Sequence, residues 1–455
     1  MHSFFTAILA ATSLIGSTLA APVVHRADDA ITPVSPGGVE DLVITAENTL
    51  NATNSQPITN STTGAKPEED IMSIQANQRL PLALVNNMGG AVNAYVTGLD
   101  PSGKVVFVQG NGQFYYPPCD SSYTSPREVN GPIAIPLNTA QGSTVTVTLP
   151  DYISSARIWF AQGNLHFYSV WNPATNSPSQ VQPSFANPQD PSAGINWGFV
   201  ELTNNQGGLY ANLSFVDFVG LALGMSMRAG SGATTTVRGL RPGSVSTICN
   251  ALQSQQRADG QPWGNLCQAG GNGPLRVVAP NIYVSSGNGA FGNYFNSYID
   301  QVWSRYTGNT LWLDTQNSHG KVACRVSGST LSCNGDNRVY NKPTAGDIFG
   351  CNSGPFAIWG SDNDVHRAVV PRLCAAFNRG TFMVNGGDTQ PGPHADQYYT
   401  TSPNNQYSKI VHQQEVDGRG YAFSYDDVNP SGGVDQSGTL ADGNPQLLTV
   451  FVGGA

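Results

Sequence analysis

The stretch NWGFVELTNNQGGLYANLSFVDFVGLALGM, residues 196–225, carries two acids in strongly apolar company. Trp197, Phe199 and Val200 surround Glu201, and Phe215, Val216, Phe218 and Val219 surround Asp217. A carboxylate in an apolar strand is costly unless it is paired or put to chemical use. Desolvation disfavours the charged form, so one of two such acids stays protonated near neutral pH and is available as a general acid. Strand-like runs on both sides of NNQGGLY predict a hairpin. A reversal centred on Gly208 sets Glu201 opposite Phe215 and makes Asp217 its diagonal neighbour, about 7–8 Å away on the same face. Shifting the centre by half a residue puts the two acids on opposite faces.

The segments before this stretch read as strands. LALVNN, AVNAYVTGL, KVVFVQG and STVTVTL alternate between Leu80 and Leu149, and RIWF (157–160) and HFYSV (166–170) continue the series. Residues 79–224 are therefore expected to form a β-sandwich or barrel lobe holding both acids. After Gly224 the apolar spacing changes to three and four residues at Ser244–Ser254, Ala290–Thr307 and Asp364–Asn378, which predicts helices. Asp364 is the expected cap of the last, with Pro371 kinking it or marking its start. Strand-like runs lie between them at Leu275–Val284, Thr310–Thr315 and Gly320–Val326, so 225–390 is expected to be a mixed α/β lobe. From Gln406, YSKIVHQQEVDGRGYAFSYDDV and PQLLTVFVGG are read as strands, and 391–455 is expected to return to the β lobe. The fold class is thus mainly β with an α/β part, the two lobes forming a wide groove of the kind that takes an extended ligand.

The first twenty residues, MHSFFTAILAATSLIGSTLA, have the apolar run and small-residue end of a secretory signal peptide. Residues 21–78 are rich in Pro, Ser, Thr, Asn, Asp and Glu, a composition that cannot bury enough apolar surface to order itself, and are read as a linker or pro-segment. Asn51, Asn60 and Asn212 head glycosylation sequons. No run approaches the about 20 apolar residues of a membrane span. Only 11% of the chain is charged and the net charge is -9, which argues against nucleic acid and leaves neutral polymers. An oxidising compartment predicts disulfides. Cys249 with Cys267, Cys324 with Cys333 and Cys351 with Cys374 each close a local loop, leaving Cys119 free, although spacing alone does not determine connectivity. Nothing has zinc-ligand spacing, so neither a metal nor a cofactor is expected.

The motif of residues 196–225 resembles the core of glycoside hydrolase family 64, the β-1,3-glucanases of thaumatin-like fold that release laminaripentaose. The likeness rests on an acid in a WGFVE-like strand, Thr203 and Asn205 two and four residues later, and VDFVGLALGM sixteen residues on. NSGPFAIW (352–359), RLCAAFNRGTF (372–382) and GYAFSYDDV (420–428) resemble later parts of the family. Ala222 stands where Pro is commoner, which is expected to alter a turn only. The resemblance implies a secreted, monomeric endo-hydrolase of β-1,3-glucan with no cofactor. Glu201 would be the general acid and Asp217 the general base activating a water, with inversion at the anomeric carbon. A separation of about 6.5–9.5 Å between the carboxyls suits that chemistry. Thr203, Asn205 and Tyr210 match sugar-binding positions, the Tyr210 ring being suited to stack on a glucose face.

Taken singly, each feature has a plainer explanation. A Glu on a strand is usually solvated, and a buried Asp is usually hydrogen-bonded structure. Asp426 and Asp427 are read as loop or structural acids, and Trp263, Trp303, Trp312 and Trp359 as core rather than sugar platforms. His366 and His394 have no Ser in a nucleophile elbow to serve. The competing function is a non-catalytic thaumatin-like glucan-binding protein, which would keep the groove and could lose either acid.

Overall fold

A computed structural model describes residues 78–455, apart from 174, 175, 272 and 286–288. The expected signal peptide, nearly all of the linker, and the sequons at Asn51 and Asn60 lie outside the described residues.

Strands Pro81–Asn86 (β1), Asn93–Leu99 (β2), Val105–Val108 (β3), Ser143–Thr148 (β4) and Ile153–Ala161 (β5) open the chain, followed by the hairpin Tyr168–Asn172 (β6) and Ser177–Val181 (β7). Trp197–Asn205 (β8), Gly208–Leu213 (β9), Phe218–Val219 (β10), Leu223–Ala229 (β11) and Thr234–Val237 (β12) continue the series. A helical lobe then begins with Ser244–Asp259 (α1) and includes strand Gly273–Val278 (β13), helices Pro280–Ser285 (α2) and Asn296–Gly308 (α3), and strands Leu311–Asp314 (β14), Lys321–Ser327 (β15) and Thr330–Cys333 (β16). Helices Ala345–Gly350 (α4), Asp364–Arg379 (α5) and Gln406–Gln414 (α6) follow, and the chain closes on Leu440–Asp442 (β17) and Pro445–Val452 (β18). The fold is mostly β, as the alternating runs imply.

Two sheets make the sandwich. The first has the order β12-β11-β18-β1-β4, with β18 parallel to β1 and antiparallel to β11, so the end of the chain fills the middle of a sheet begun by residue 81. It runs on to Val237, past residue 224, where the change of lobe is placed by the sequence pattern. The second has eight strands and contains the run β17-β9-β8-β5-β2-β3, with the short strand Phe114–Tyr115 beyond β3 and Ile135–Pro136 paired to β2. Period-2 alternation gives β8 two faces. Gly198 marks the inner one, since a Cβ there would meet Leu223 Cδ1 of the first sheet at 3.3 Å. Val200 and Leu202 share that inner face, which leaves Trp197, Phe199, Glu201 and Thr203 on the outer one.

Three expected strands are something else. Residues 406–414 form α6, because Tyr407, Ile410 and Val411 bury one face at helical spacing while Asn405 Oδ1 caps the Ser408 amide. GYAFSYDDV folds as turns, with Asp426 accepting the Ala422 amide at 2.9 Å. The run from Leu275 stops at Val278, and Pro280 starts α2, as its fixed φ favours. The helix expected from Ala290 begins only at Asn296. In α5 the cap is Asn363 rather than Asp364, and Pro371 sits inside the helix. Disulfides join Cys249 to Cys267, Cys324 to Cys333 and Cys351 to Cys374, the three local pairings expected, and Cys119 is free. Trp263 and Trp303 are core, but Trp312 and Trp359 are exposed, contrary to expectation. No helix of the described residues is long and apolar enough to cross a membrane.

Asp426 proves to be a structural acid. It accepts from Arg379 Nη2 at 3.0 Å and pairs with His412 Nε2 at 2.8 Å, while His412 Nδ1 lies 2.8 Å from Glu415. Burial alone would lower the His412 imidazolium, but Asp426 and Glu415 overrule it and hold its pKa up at about 10, against an ordinary 6.5. A raised folded pKa stabilises the fold below the unfolded value, and that contribution is lost as pH rises through the folded value. The melting temperature is therefore expected to fall between about pH 7 and 10. His412→Gln should melt lower at pH 7 and show a flatter decline, measured by circular dichroism at both pH values.

Candidate active site

The outer face of the second sheet carries a polar row beside an aromatic one. Register places Thr97 (β2), Arg157 (β5), Glu201 (β8) and Asn212 (β9) side by side across four strands. One row along lie Tyr95, Trp159 and Phe199. Trp159 packs on Phe199 with ring centroids 4.9 Å apart, and Phe218 wedges between Trp197 at 4.7 Å and Phe185 at 4.8 Å. A bulge in β5 at Ser154–Ser155, with Ser155 at φ 48°, shifts the register next to Glu201, a common device for re-aiming side chains beside sites.

The hairpin turns at Gln206–Gly207 instead of Gly208. Asn205 pairs with Gly208, and Asn205 Oδ1 accepts the Gly207 amide at 2.8 Å, so Asn205 shapes the turn. Glu201 consequently faces Asn212, not Phe215, and the expected diagonal relation of Glu201 and Asp217 within one hairpin does not hold. β9 ends at Leu213, so the strand expected over 213–219 is broken, and Asp217 reaches the site from the irregular segment before β10. Two contacts seat it: the Asp217 carbonyl accepts the Ala279 amide at 2.7 Å, and Phe218 is locked into the aromatic cluster. Thr203 and Tyr210 are a cross-strand pair on the same face, one row beyond Glu201 and Asn212.

Glu201 and Asp217 are 1% and 3% exposed. Arg157 Nε lies 3.7 Å from Glu201 Oε1, and Asn212 Nδ2 donates to Oε2 at 3.4 Å. Burial raises the Glu201 carboxyl, opposed by Arg157 and by hydrogen bonds with Asn212 and Ser214. Burial pushes Asp217 up to about 7, with Arg157 pulling down and Glu201 pushing up. The two acids thus sense each other and one shared cation. Both carboxyls are thus pushed by burial toward their protonated forms, with the Arg157 guanidinium opposing. Asp217 Oδ1, Thr203 Oγ1 and Asn212 Oδ1 have no hydrogen-bond partner among the described residues, and buried polar atoms of this kind await water or a ligand.

Sequence reasoning missed Arg157 and misread Asn212. Arg157 is remote from both acids along the chain, and only the β5–β8 register reveals the ion pair. Asn212 is wholly buried beside Glu201, so the sequon it heads is closed to a glycan. A cavity of about 650 Å³ opens elsewhere, among Asn87, Gln141, Ala222 and Ser244, and neither acid lines it. Among the described residues no group of three or more His, Cys, Asp or Glu could hold a metal ion.

Residues 78–452 match the family model of glycoside hydrolase family 64, described as beta-1,3-glucanase. Glucan endo-1,3-beta-glucosidases of Arthrobacter sp. (strain YCWD3) and Cellulosimicrobium cellulans are each 28% identical over 380 residues, covering 82% of this chain. The chain spans only 64% of the length of these curated relatives. A laminaripentaose-producing beta-1,3-glucanase solved with laminaritetraose is similar at 28% identity and a TM-score of 0.70, with 83% of this chain and 99% of that one covered. A beta-1,3-glucanase domain from Clostridium beijerinckii shares the fold at 22% identity and a TM-score of 0.65, with 83% and 99% covered.

Because the folded pKa of Asp217 is raised from 3.8 to about 7, the fold loses stability as pH climbs through that window. Asp217→Asn removes the buried ion. It should raise stability at pH 8 by about 4 kcal/mol at most and leave it near wild type at pH 4, as read by thermal melts at both pH values.

Proposed function

As the chain belongs to glycoside hydrolase family 64, the β-1,3-glucanases, we propose that it is a secreted endo-hydrolase of β-1,3-glucan working through Glu201 and Asp217. The observation that carries this reading is the pair of buried acids at the family motif, coupled to each other and to one guanidinium. Two such acids hold a single proton near neutral pH and titrate as a unit. That is the state an acid–base hydrolysis requires.

In the proposed reaction Glu201 donates the proton to the glycosidic oxygen. Asp217 takes one from a water, whose oxygen attacks the anomeric carbon as the carbon–oxygen bond to the leaving sugar breaks. The configuration inverts, and a proton passing from Asp217 back to Glu201 resets the pair. Thr203 and Tyr210 are placed to meet the sugar beside the cleaved linkage, and short laminari-oligosaccharides, laminaripentaose foremost, are the proposed products. Three disulfides and the leader-like first twenty residues support secretion. The near-complete cover of both acids favours the second reading, a glucan-binding protein without turnover; for hydrolysis, the covering side chains must part to admit the chain.

Glu201→Gln and Asp217→Asn should each lower hydrolysis of linear β-1,3-glucan by about 100-fold or more while glucan binding persists, and near wild-type turnover in either removes that residue from the mechanism. Proton NMR should show the α-anomer first; early β-anomer would mean retention. Because the proton of the pair is lost as pH passes about 7, kcat/KM on laminarin should decline above that pH.

A further inference from the structure

Arg157 is held from several sides. Its strand position sets it opposite Glu201, and its guanidinium carbon lies 4.3 Å from the Phe199 ring centroid and 5.2 Å from that of Trp159. Nη1 donates to Gln182 Oε1 just beyond β7, and Gln182 Nε2 in turn donates to Gln180 Oε1 at 3.1 Å. Gln180 and Gln182 are themselves buried, so the grip comes from a fixed wall rather than from a loose surface chain.

The groups facing this cation from the packed elements are few. Glu201 comes from β8 and Asp217 from the segment before β10. Behind Asp217 stands Tyr407 of α6, whose hydroxyl donates to the Phe215 carbonyl at 2.6 Å. Asn212, Gln180 and Gln182 are neutral. A guanidinium does not lose its proton in a protein, so its charge is constant. Two carboxylates, one guanidinium and one shared proton sum to zero, and a buried cluster is least costly when neutral. Without the guanidinium, neutrality demands a second proton, and no ionised carboxylate remains to act as base.

We propose that Arg157, gripped by Gln182 and lodged against Phe199 and Trp159, is the positioning residue that seats Glu201 and keeps the carboxylate pair at a single proton. It acts through the two acids and does not itself touch the bond that breaks. This inference rests on the β-1,3-glucanase reading.

The test is the pH profile of kcat/KM on laminarin for wild type, Arg157→Met, Arg157→Lys and Gln182→Met, with folding checked by circular dichroism. Losing the positive charge raises the pKa of both acids, so both limbs of the Arg157→Met bell should move up by about one pH unit or more. Arg157→Lys keeps the charge without the fork that meets Gln182, and should restore the position of the bell but not the full rate. Gln182→Met leaves the charge in place but loosens it, and should move the bell in the same direction by less. A purely structural Arg157 would lower the melting temperature and the rate while leaving the bell where it was. Bells coincident with wild type in every variant that folds overturn the proposal. Failure of the wild type to hydrolyse laminarin would instead refute the glucanase reading itself.

Discussion

Burying two carboxylates within reach of one guanidinium is the constraint around which the rest of this molecule is arranged. Each acid alone would be driven toward its neutral form by loss of water, and double ionisation beside a single compensating charge is disfavoured until the pH passes about 7. The arrangement is stable only while Arg157, Glu201 and Asp217 keep their relative places. Rigidity is supplied by the outer face of an eight-stranded sheet in which neighbouring residues are fixed by the backbone ladder. Arg157 and Glu201 meet because β5 and β8 pair in that register, with a bulge beside them to adjust the aim.

Asp217 obeys a different rule. It sits on no long strand, so its place depends on neighbours that hold the backbone around it. Phe218 anchors the chain by packing against Trp197 and Phe185, and the Ala279 amide ties the Asp217 carbonyl to the junction of β13 and α2. The second lobe therefore supports the chemistry without supplying either acid. Its own interior is held by local disulfides and by the Arg379–Asp426–His412–Glu415 cluster, where opposite charges pair at hydrogen-bond distance. The two buried aspartates, Asp426 and Asp217, differ in kind. Asp426 is satisfied by an Arg, a His and a backbone amide, as a structural acid must be, whereas Asp217 keeps an oxygen without a hydrogen-bond partner among the described residues.

That difference makes the site a stability liability. A partly satisfied polar cluster in a low dielectric destabilises the fold more than an apolar one of the same shape, and its persistence is intelligible where the unmet hydrogen-bonding capacity serves a ligand. Thr203 and Asn212 show the same unmet capacity on the same face as Glu201. The near-total cover of the acids also strengthens every electrostatic interaction inside the site, because water is excluded.

Much of this was legible in the chain by itself. Alternating runs mark the strands of the sandwich, three- and four-residue spacing marks α1 and α5, and the three disulfides are the pairings that close local loops, although spacing left other connectivities open. The two acids stand out because WGFVELT and LSFVDFV surround each with hydrophobes, a local property of the sequence. What remained hidden is whatever depends on pairing between distant segments. Tyr407, Ile410 and Val411 fit a strand or a helix equally well as letters, and burial against the rest of the fold chooses the helix. Asn212 reads as a sequon until β9 buries it. The hairpin centre lies a residue and a half from Gly208, because an Asn205 side chain closes a two-residue turn at Gln206–Gly207, and side-chain facing has a period of two, so small errors in a turn rearrange a whole face. Arg157 is separated from Glu201 by more than forty residues and becomes its partner only through the β5–β8 register. Local composition thus determined which residues are unusual, while the tertiary structure decided which of them meet, since electrostatic partnership depends on distance in space and not along the chain.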